Sequence, residues 1–588
     1  MKLSDYVFGF LKKKGVKHCF MLPGGGAMHL VDSLGTSGIE YIPFLHEQGA
    51  SIAAEAYAQH TNTPGVCLVT SGPGATNAIT AVAAGWIDST PMIIISGQAK
   101  RSDLIGDRGV RQIGSQEVQI IPMVTPITKY AVEIMEPDDI RYHLESAWHE
   151  ATSGRPGPVW LSIPLDVQGS QIDEKSLRGF QVSADVENSD GIRYATASKD
   201  EIADAVDKTI SLLKESKKPL LLAGNGIKLS GAEEELYSFL QTTQIPVQTT
   251  WKTIDMFAED DPLYVGHPGI MGDRGANLIL QEADLLLSIG SRLDTSITAF
   301  NDRHFGMSAK KVIVDIDPNE INRMDMDMEA RVACDAGVFI SGLRKHYIEP
   351  TEEWEEWLSF CKDTRNQHPV ITDQHREHTG NVSAYHFIDV LCDLLREDDV
   401  IVPESSGGAG EITYQAFRVK KGQKMKNAAG LGSMGFGLPY AIGSCIANDR
   451  RRTILINGDG AFQLNIQELE TAYRLGLSLK MFIWYNEGYA SIRSMQRNSF
   501  DGRYVGSSSD SGLTIPDLTR VAAAYGFKTV HINYNDEVGT LLPQIMADDE
   551  SIVCVVNVDP YETVSPRVKA YVGENGQMTS GVLEKMWP

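Results

Sequence analysis

The chain has 588 residues and a formal net charge of -24, with 53 Lys and Arg against 77 Asp and Glu. At roughly 150 residues per domain, this length predicts three or four domains. Hydrophobic residues make up 42% of the chain and charged residues 22%, a globular composition that excludes disordered and collagen-like classes. The acidic balance argues against binding to nucleic-acid polymers or anionic membranes.

Three further sequence features concern the compartment. No apolar run approaches the ~18 residues of a membrane-spanning helix. The N-terminus is interrupted by lysines and lacks the small-residue cleavage site of a signal peptide. The seven cysteines are odd in number, scattered and without a C-x-x-C pair, which is typical of reduced thiols. We therefore expect a cytoplasmic protein.

Extended apolar runs alternate with helical patterns from the N-terminus onward. The first runs end in Gly-rich or polar turns and are followed by helical stretches; they lie at 18–22, 41–44, 66–70 and 92–96. This alternation predicts a parallel sheet covered by helices on both faces. A polar, aperiodic segment at 169–199 then predicts a linker.

Two more segments of the same kind follow. Their strand runs lie at 219–223, 285–289 and 312–316, and then at 400–403, 453–457, 480–485 and 552–556. A charged stretch with two tryptophans after residue 350 predicts an amphipathic helix between these segments. The predicted fold is α/β, with three doubly wound parallel-sheet domains at 1–168, 196–345 and 379–560 and a turn-rich tail or lid at 561–588.

The most informative stretch joins two of these strands. One β run ends in G-D-G at Asp459, and the next ends at Asn486, 27 residues later. That spacing leaves room for a strand–helix–strand crossover, predicted to place Ile466, Leu469 and Tyr473 on one helix face. Asp459 and Asn486 then lie at the carboxyl ends of parallel strands, where open sheets bind ligands.

A carboxylate and an amide oxygen at this edge suit a hard cation such as Mg²⁺ that also holds a diphosphate. Gly458 and Gly460 allow the backbone to approach phosphate oxygens at a helix N-terminus. The alternative is a tight turn in which Asp459 caps a helix. The spacing to Asn486 favours the metal site.

This arrangement resembles the metal and diphosphate motif of thiamine-diphosphate enzymes. Other segments match the same family: LPGG at 22–25, FLHEQGA at 44–50, TSGPG at 70–74, GRPGP at 154–158 and GLGSMGFG at 430–437. The resemblance covers essentially the whole chain and is closest to the acetolactate synthase group. It implies a pyrimidine-binding, a central and a diphosphate-binding domain, thiamine diphosphate and Mg²⁺ as cofactors, and a homodimer or homotetramer with active sites between two chains.

The resemblance also implies roles for individual residues. Glu47 activates the cofactor through its pyrimidine ring, and Gln116 is a second catalytic residue. Met434 supports the bent cofactor, although a methionine here is also typical of plain core; for Glu47 the alternative is a carboxylate stabilised at a helix N-terminus. The implied metal ligands are Asp459, Asn486 and the Gly488 carbonyl. The other implied cofactor contacts are Pro23, Gly24, Gly25, Gly72, Asn77, Ser405, Ser406, Gly407, Gly408, Gly432, Gly458, Gly460 and Ala461.

The chain departs from acetolactate synthases in the predicted substrate pocket. Ser296 stands where the family has an arginine that binds the carboxylate of a second keto acid, and serine cannot replace that bidentate contact. Ser115, Leu165 and Met495 stand where the family has Phe, Lys and Trp; Gly26 completes the predicted pocket. The changes enlarge the pocket and predict a bulkier acceptor, and the pattern resembles carboligases of surface-polysaccharide pathways. Arg493 and Arg497 could contact an anionic acceptor or serve no specific role.

The central segment offers a second ligand site. Acetolactate synthases hold a non-redox FAD there, and the matching residues are Arg155, Gly224, Gly226, Arg292, Asp294 and Asp335. The G-x-G at residues 224–226 alone is also typical of a strand-end turn. Residues 269–272 lack the family's histidine, so FAD is an open prediction.

The predicted function is thiamine-diphosphate- and Mg²⁺-dependent decarboxylation of a 2-keto acid, pyruvate by preference. The acyl unit is then transferred to a carbonyl acceptor such as a keto-sugar. The alternatives are a genuine acetolactate synthase, a non-oxidative decarboxylase, a pyruvate oxidase and a catalytically silent homologue. Retention of Glu47, Asp459, Asn486 and Met434 together argues against a silent homologue.

Overall fold

A computed structural model describes residues 1–182, 196–572 and 578–587. Within these residues, no helix is both long and apolar enough to cross a membrane. All seven cysteines are buried and unpaired, as expected for reduced thiols.

The N-terminal domain is a six-stranded parallel sheet of order β2-β1-β3-β4-β6-β5. Three of its inner strands, at 65–69, 92–98 and 158–164, are buried along their whole length, because helices cover both faces. The strands are β1 (His18–Met21), β2 (Glu40–Pro43), β3 (Gly65–Val69), β4 (Met92–Gln98), β5 (Tyr130–Glu133) and β6 (Pro158–Pro164). The helices are α1 (Leu3–Lys13), α2 (Met28–Ser37), α3 (Glu47–Thr61), α4 (Pro73–Asn77), α5 (Ile79–Ile87), α6 (Ile120–Val124), α7 (Ile140–Thr152) and α8 (Leu165–Gln168).

The central domain is a five-stranded parallel sheet of order β11-β10-β9-β7-β8. Its strands are β7 (Pro219–Ala223), β8 (Val247–Thr249), β9 (Leu285–Ile289), β10 (Lys310–Asp315) and β11 (Ala330–Ala333). Its helices are α9 (Lys199–Glu215), α10 (Asn225–Leu229), α11 (Glu233–Thr243), α12 (Arg274–Glu282), α13 (Thr295–Thr298), α14 (Pro318–Asn322), α15 (Ala336–Leu343) and α16 (Glu352–Gln367). The helix predicted after residue 350 is α16.

The C-terminal domain repeats the topology of the first, with a parallel sheet of order β13-β12-β14-β15-β17-β16. Its strands are β12 (Val400–Pro403), β13 (Lys424–Met425), β14 (Thr453–Gly458), β15 (Leu479–Tyr485), β16 (Lys528–Ile532) and β17 (Ile552–Asn557). Its helices are α17 (Asp373–Arg376), α18 (Ala384–Leu394), α19 (Gly408–Ala416), α20 (Gly437–Ala447), α21 (Asp459–Gln463), α22 (Glu468–Arg474), α23 (Ala490–Ser499), α24 (Leu518–Ala524) and α25 (Val538–Ala547).

The N- and C-terminal domains share one apolar core. Helices α3 and α20 cross so closely that a Cβ on Gly443 would lie 2.3 Å from the Ala53 carbonyl oxygen. Residues of both helices belong to the same buried cluster, which extends to the strands of both sheets. Small residues are therefore required where the two backbones meet.

The tail returns to the central domain. Two short antiparallel pairs form it, Arg567–Val568 with Met586–Trp587 and Tyr571–Val572 with Met578–Thr579. Val568, Leu583 and Met586 are buried in the core of the central domain. The Glu584 carboxylate also lies 2.8 Å from the His304 imidazole, so the tail is fixed to that domain by polar as well as apolar contacts.

The predicted fold class of three parallel-sheet α/β domains is confirmed. Most of the unpredicted strands are edge strands: β5, β8, β11, β13 and β16. The crossover from β14 to β15 is confirmed, but two short helices replace the one amphipathic helix that we predicted there. Leu469 is buried as expected, whereas the predicted core residue Tyr473 is 53% exposed.

Candidate active site

The Asp459 carboxylate organises the loop at the ends of β14 and β15. Its Oδ2 accepts hydrogen bonds from the backbone N–H groups of Asn486 at 3.1 Å and Gly488 at 3.0 Å, and Oδ1 accepts from Gly460 at 2.7 Å. Asp459 is 1% exposed. Burial raises its pKa to about 6 against the opposing effect of these N–H groups and of Arg493.

The three predicted metal ligands therefore lie in one loop cluster. Among the described residues, the buried Oδ1 of Asn486 has no hydrogen-bond partner. A buried, unpaired amide oxygen beside a desolvated carboxylate is what a hard divalent cation would satisfy. The residues present thus fit Mg²⁺, with Asp459, Asn486 and the Gly488 carbonyl as its protein ligands.

Arg493 forms hydrogen bonds to the backbone of the same loop. Its guanidinium donates to the carbonyl oxygens of Asn486 at 2.5 Å, Glu487 at 2.8 Å and Pro560 at 3.3 Å. The residue is 8% exposed, so these contacts occupy it and the suggestion that it could meet an acceptor is wrong. Arg497 lies with its guanidinium 5.3 Å from the Tyr561 ring centroid.

Several of the predicted diphosphate contacts are glycines whose backbone lies against neighbouring groups. A Cβ on Gly460 would lie 2.5 Å from the Tyr489 ring, and one on Gly432 would lie 3.8 Å from the Ser405 carbonyl oxygen. Gly407 and Gly432 both have positive φ, which favours glycine. Gly407 precedes α19, so Ser405, Ser406, Gly407 and Gly408 run into that helix, while Gly458, Gly460 and Ala461 surround Asp459 at the start of α21.

Glu404 is a buried carboxylate at this edge that was not among the predicted contacts. It accepts from the backbone N–H groups of Ser405 at 2.9 Å and Gly437 at 3.0 Å. Burial raises its pKa to about 7. Glu404 ties the predicted diphosphate loop to the start of α20. Its position directly after a buried β run was the available signal.

In the N-terminal domain, Glu47 is the first residue of α3 and is 8% exposed. Its Oε2 accepts a hydrogen bond of 3.0 Å from the Asn77 amide. A Cβ on Gly74 would lie 3.3 Å from Glu47 Oε1, so the TSGPG turn covers this carboxylate. The structure therefore brings Glu47 and Asn77 together, as the resemblance implied.

Thr70 contacts two of the glycines in the turn after β1. Its hydroxyl accepts from the Gly26 N–H at 3.0 Å, and a Cβ on Gly24 would lie 2.5 Å from the Thr70 Cβ. A Cβ on Gly72 would lie 2.5 Å from the Gln116 carbonyl oxygen. The turn holding Pro23 and Gly25 thus contacts the TSGPG turn, which contacts Gln116.

Contacts also join the two domains near these residues. The Asn465 amide donates to Gln48 Oε1 at 3.2 Å, and the Leu45 N–H donates to Glu468 Oε2 at 3.3 Å. Within residues 1–182, 196–572 and 578–587, no hydrogen bond or ion pair joins Glu47 to Asp459. We call the residues around Glu47 and those around Asp459 the two half-sites.

An open cleft lies in the central domain and reaches the N- and C-terminal domains. Its walls include five of the six residues matched to FAD contacts: Arg155, Gly226, Arg292, Asp294 and Asp335. Gly224 lies beside it, because a Cβ there would meet the Gly290 carbonyl oxygen at 2.2 Å.

The predicted substrate-pocket residues lie on accessible surface. Ser296 lines the central cleft and is exposed. Met495 is 58% exposed on α23, and Ser115 is exposed in the loop after β4. Gly26 and Leu165 are half-buried. These residues come from all three domains, and a single chain does not close them into one pocket.

Comparison with known proteins identifies the family. Residues 1–120, 206–343 and 406–558 match the N-terminal TPP binding domain, the central domain and the C-terminal TPP binding domain of thiamine pyrophosphate enzymes. The chain is 32% identical over its full length to the complete acetolactate synthase isozyme 2 large subunit of Escherichia coli. It is 33% identical to the acetolactate synthase large subunit of Corynebacterium glutamicum, covering 94% of this chain and 86% of that protein.

An archaeal protein shows the same similarity. The probable acetolactate synthase large subunit of Methanocaldococcus jannaschii is 31% identical over 96% of this chain and 93% of its own length. Full-length similarity and three matched domains agree with the three sheets and with the two half-sites. The chain therefore belongs to the thiamine-diphosphate-dependent enzymes of the acetolactate synthase-like family.

Proposed function

We propose that this enzyme decarboxylates a 2-keto acid, pyruvate by preference, and transfers the acyl unit to a carbonyl acceptor larger than a simple keto acid. A keto-sugar is the acceptor class that we favour. The new carbon–carbon bond joins the acyl carbon of the donor to the acceptor carbonyl carbon, and carbon dioxide leaves. The observation that carries the proposal is an intact cofactor half-site in each terminal domain beside an altered acceptor pocket.

Thiamine diphosphate, when bound, supplies a nucleophilic carbon and an electron sink for the decarboxylation. Glu47, held by Asn77 at 3.0 Å, is placed to exchange a proton with the pyrimidine ring. Asp459 and Asn486 would hold Mg²⁺ against the diphosphate. The low exposure of Glu47 and Asp459 keeps both carboxylates out of bulk water.

The acceptor assignment rests on Ser296. Its side chain is exposed on α13 in the central cleft, and a hydroxyl cannot form the two parallel charged hydrogen bonds that a guanidinium forms with a carboxylate. Arg292 is close by but donates to the Asp294 carboxylate and to the Ile87 carbonyl. The Arg292 guanidinium therefore already has two acceptors and does not replace the missing arginine at position 296.

Acetolactate synthesis is the second candidate, because the three relatives named above are acetolactate synthase large subunits. The two functions share the donor step and differ only in the acceptor. For an acetolactate synthase, pyruvate would serve as both donor and acceptor.

One experiment separates the two candidates. The enzyme is incubated with thiamine diphosphate, Mg²⁺ and pyruvate, with and without a panel of keto-sugars, and products are identified by mass spectrometry. We expect little acetolactate from pyruvate alone and a two-carbon adduct of a keto-sugar. Rapid acetolactate formation from pyruvate alone would overturn the acceptor assignment and establish the second candidate.

A matched pair of variants sharpens this test. Ser296→Arg introduces a guanidinium at the predicted acceptor position and is expected to raise acetolactate formation from pyruvate. Thr295→Arg adds the same charge at the adjacent position and is expected to leave acetolactate formation unchanged. An equal effect of both variants would show that position 296 does not select the acceptor.

We also propose FAD as the occupant of the central cleft, on the strength of the residues that line it. The absorbance of flavin released when the purified protein is denatured tests this proposal, and a colourless protein that takes up no added FAD would refute it.

The proposed assembly is a cytoplasmic homodimer or homotetramer with each active site between two chains. The proposed domain limits are 1–168, 196–345 and 379–560.

A further inference from the structure

A second, smaller cavity lies where the three domains meet. We call it the junction cavity; it is lined by Gln59, His60, Thr90, Lys228, Lys424 and Lys426 among others. Its walls come from the end of α3, the turn after α5, helix α10 and strand β13. Neither the short family motifs quoted from the sequence nor the predicted cofactor contacts include these six residues.

A buried carboxylate pairs with one of the lysines in this wall. Lys228 forms an ion pair with Asp255, whose other oxygen accepts from the Met425 N–H at 3.1 Å. Lys426 is 5% exposed, and its ammonium donates to the Lys252 carbonyl oxygen at 3.4 Å. Burial and the neighbouring Lys228 lower the pKa of Lys426 well below its usual value. Lys426 thus has no ion-pair partner of its own among the described residues, since Asp255 pairs with Lys228.

Uncharged donors also point into the cavity without a partner. The Thr90 hydroxyl belongs to a residue that is 1% exposed and is unbonded within the described part of the chain. Both buried ring nitrogens of His60 are likewise unbonded there. Buried polar atoms in proteins are nearly always hydrogen-bonded. The Thr90 hydroxyl and the one N–H of a neutral His60 ring can therefore donate to a ligand with acceptor oxygens.

The acidic residues around the cavity do not supply the missing anionic partner for these donors. Asp88 lies 2.8 Å from the Lys252 ammonium, which neutralises it. Burial, followed by the charge of Asp88, raises the pKa of nearby Glu55 to about 8. Glu233 is exposed at the rim. Asp88 and Glu233 both line the cavity, but the first pairs with Lys252 and the second is exposed, so neither is the partner of Lys426.

We propose that the junction cavity binds a phosphate group, either free or carried by a small metabolite. The phosphate oxygens would accept from the Lys228 and Lys426 ammoniums and from the Thr90 hydroxyl, with His60 as a further donor. Because the ligand would contact all three domains, its binding stabilises the folded chain by mass action.

The test uses the enzyme saturated with thiamine diphosphate and Mg²⁺, and with FAD if it takes up that cofactor, so that phosphate cannot occupy the cofactor sites. Inorganic phosphate and glucose 6-phosphate are titrated by calorimetry, and Tm is followed in parallel. We expect saturable binding and a higher Tm. Equal affinities identify the phosphate group itself as the ligand, and tighter binding of glucose 6-phosphate identifies a phosphorylated metabolite.

Two variants remove different contacts. Lys426→Met removes a buried ammonium, and Thr90→Val removes only the hydroxyl in a nearly isosteric side chain. Each is expected to weaken binding at least tenfold, whereas Lys421→Met, on the exposed surface of the same segment, leaves it unchanged. Absence of binding to the unmodified enzyme overturns the proposal, as does unchanged binding in Thr90→Val together with Lys426→Met. If Lys426→Met fails to fold, Thr90→Val alone decides.

Discussion

At the scale of single residues, Glu47 is the most consequential side chain. The change Glu47→Gln keeps the shape of the side chain and its contact with Asn77 but removes the carboxylate that shares a proton with the cofactor. We expect keto-acid decarboxylation to fall by at least about 10²-fold, since general acid–base catalysis contributes that much or more. Steady-state rates measure this fall. Thiamine diphosphate affinity, measured by calorimetry, should change little; a near-normal rate would remove Glu47 from the mechanism.

Arg493 is a positioning residue for the predicted metal loop. In Arg493→Met the carbonyl oxygens of Asn486 and Glu487 lose their donor, and the loop that presents the metal ligands loosens. Mn²⁺ affinity in the presence of thiamine diphosphate, measured by electron paramagnetic resonance, should fall about tenfold, equivalent to about 1.4 kcal/mol. Arg497→Met is the control, because Arg497 contacts the Tyr561 ring instead. Equal Mn²⁺ affinity in the two variants would contradict this role.

Glu55 gives the stability of the protein a dependence on pH. Burial raises its pKa to about 8, whereas an unfolded glutamate titrates near ~4.3. Between these values the folded chain holds a proton that the unfolded chain has lost, so this contribution to stability falls as pH rises. In phosphate-free buffer we expect Tm to drop less between pH 5 and pH 8 for Glu55→Gln than for the unmodified protein. Parallel curves would show that Glu55 does not titrate in this range.

At the scale of elements, the crossing of α3 and α20 joins two domains. In Gly443→Ala the new Cβ would meet the Ala53 carbonyl oxygen at 2.3 Å, so the helices must separate. Overpacking of this kind costs about 1–3 kcal/mol, and Tm should fall by a few degrees. Gly9→Ala in α1 is the control, since nothing lies within 4 Å of its Cβ position. Differential scanning calorimetry of both variants decides, and an equal response would show that the crossing tolerates a methyl group.

At the scale of the whole molecule, the two half-sites predict that each active site is built from residues of two chains. If Glu47 of one chain works with Asp459 of another, Glu47→Gln and Asp459→Asn homodimers are both inactive. Mixing them by co-refolding should restore activity, because each mixed dimer then contains one intact site. About a quarter of the unmodified activity is expected from random pairing of two chains. No recovery, despite mixed dimers seen by native mass spectrometry, would place both residues in the same chain's site.

Much of this architecture was predictable because its determinants are local. The central strands are continuous apolar runs bounded by turns, so β7, β9 and β12 were predicted with their observed limits. The G-D-G turn and the spacing to Asn486 predicted that Asp459 and Asn486 meet, since a crossover of that length must place them at one sheet edge. Edge strands such as β13 and β16 were missed because they are short or partly exposed and lack that signal.

The sequence by itself thus determined the fold class, the three-domain order and the residue types of both half-sites. The tertiary structure alone decided that Arg493 faces carbonyl oxygens instead of a ligand, and that Gly443 lies against Ala53. It also brought Thr90, Lys228 and Lys426 to one cavity from three domains. The physical reason is that periodicity and turn chemistry act over a few residues, whereas the orientation of the Arg493 side chain depends on how its loop folds. The Gly443–Ala53 contact and the junction cavity join segments far apart in the sequence and exist only once the domains have packed together.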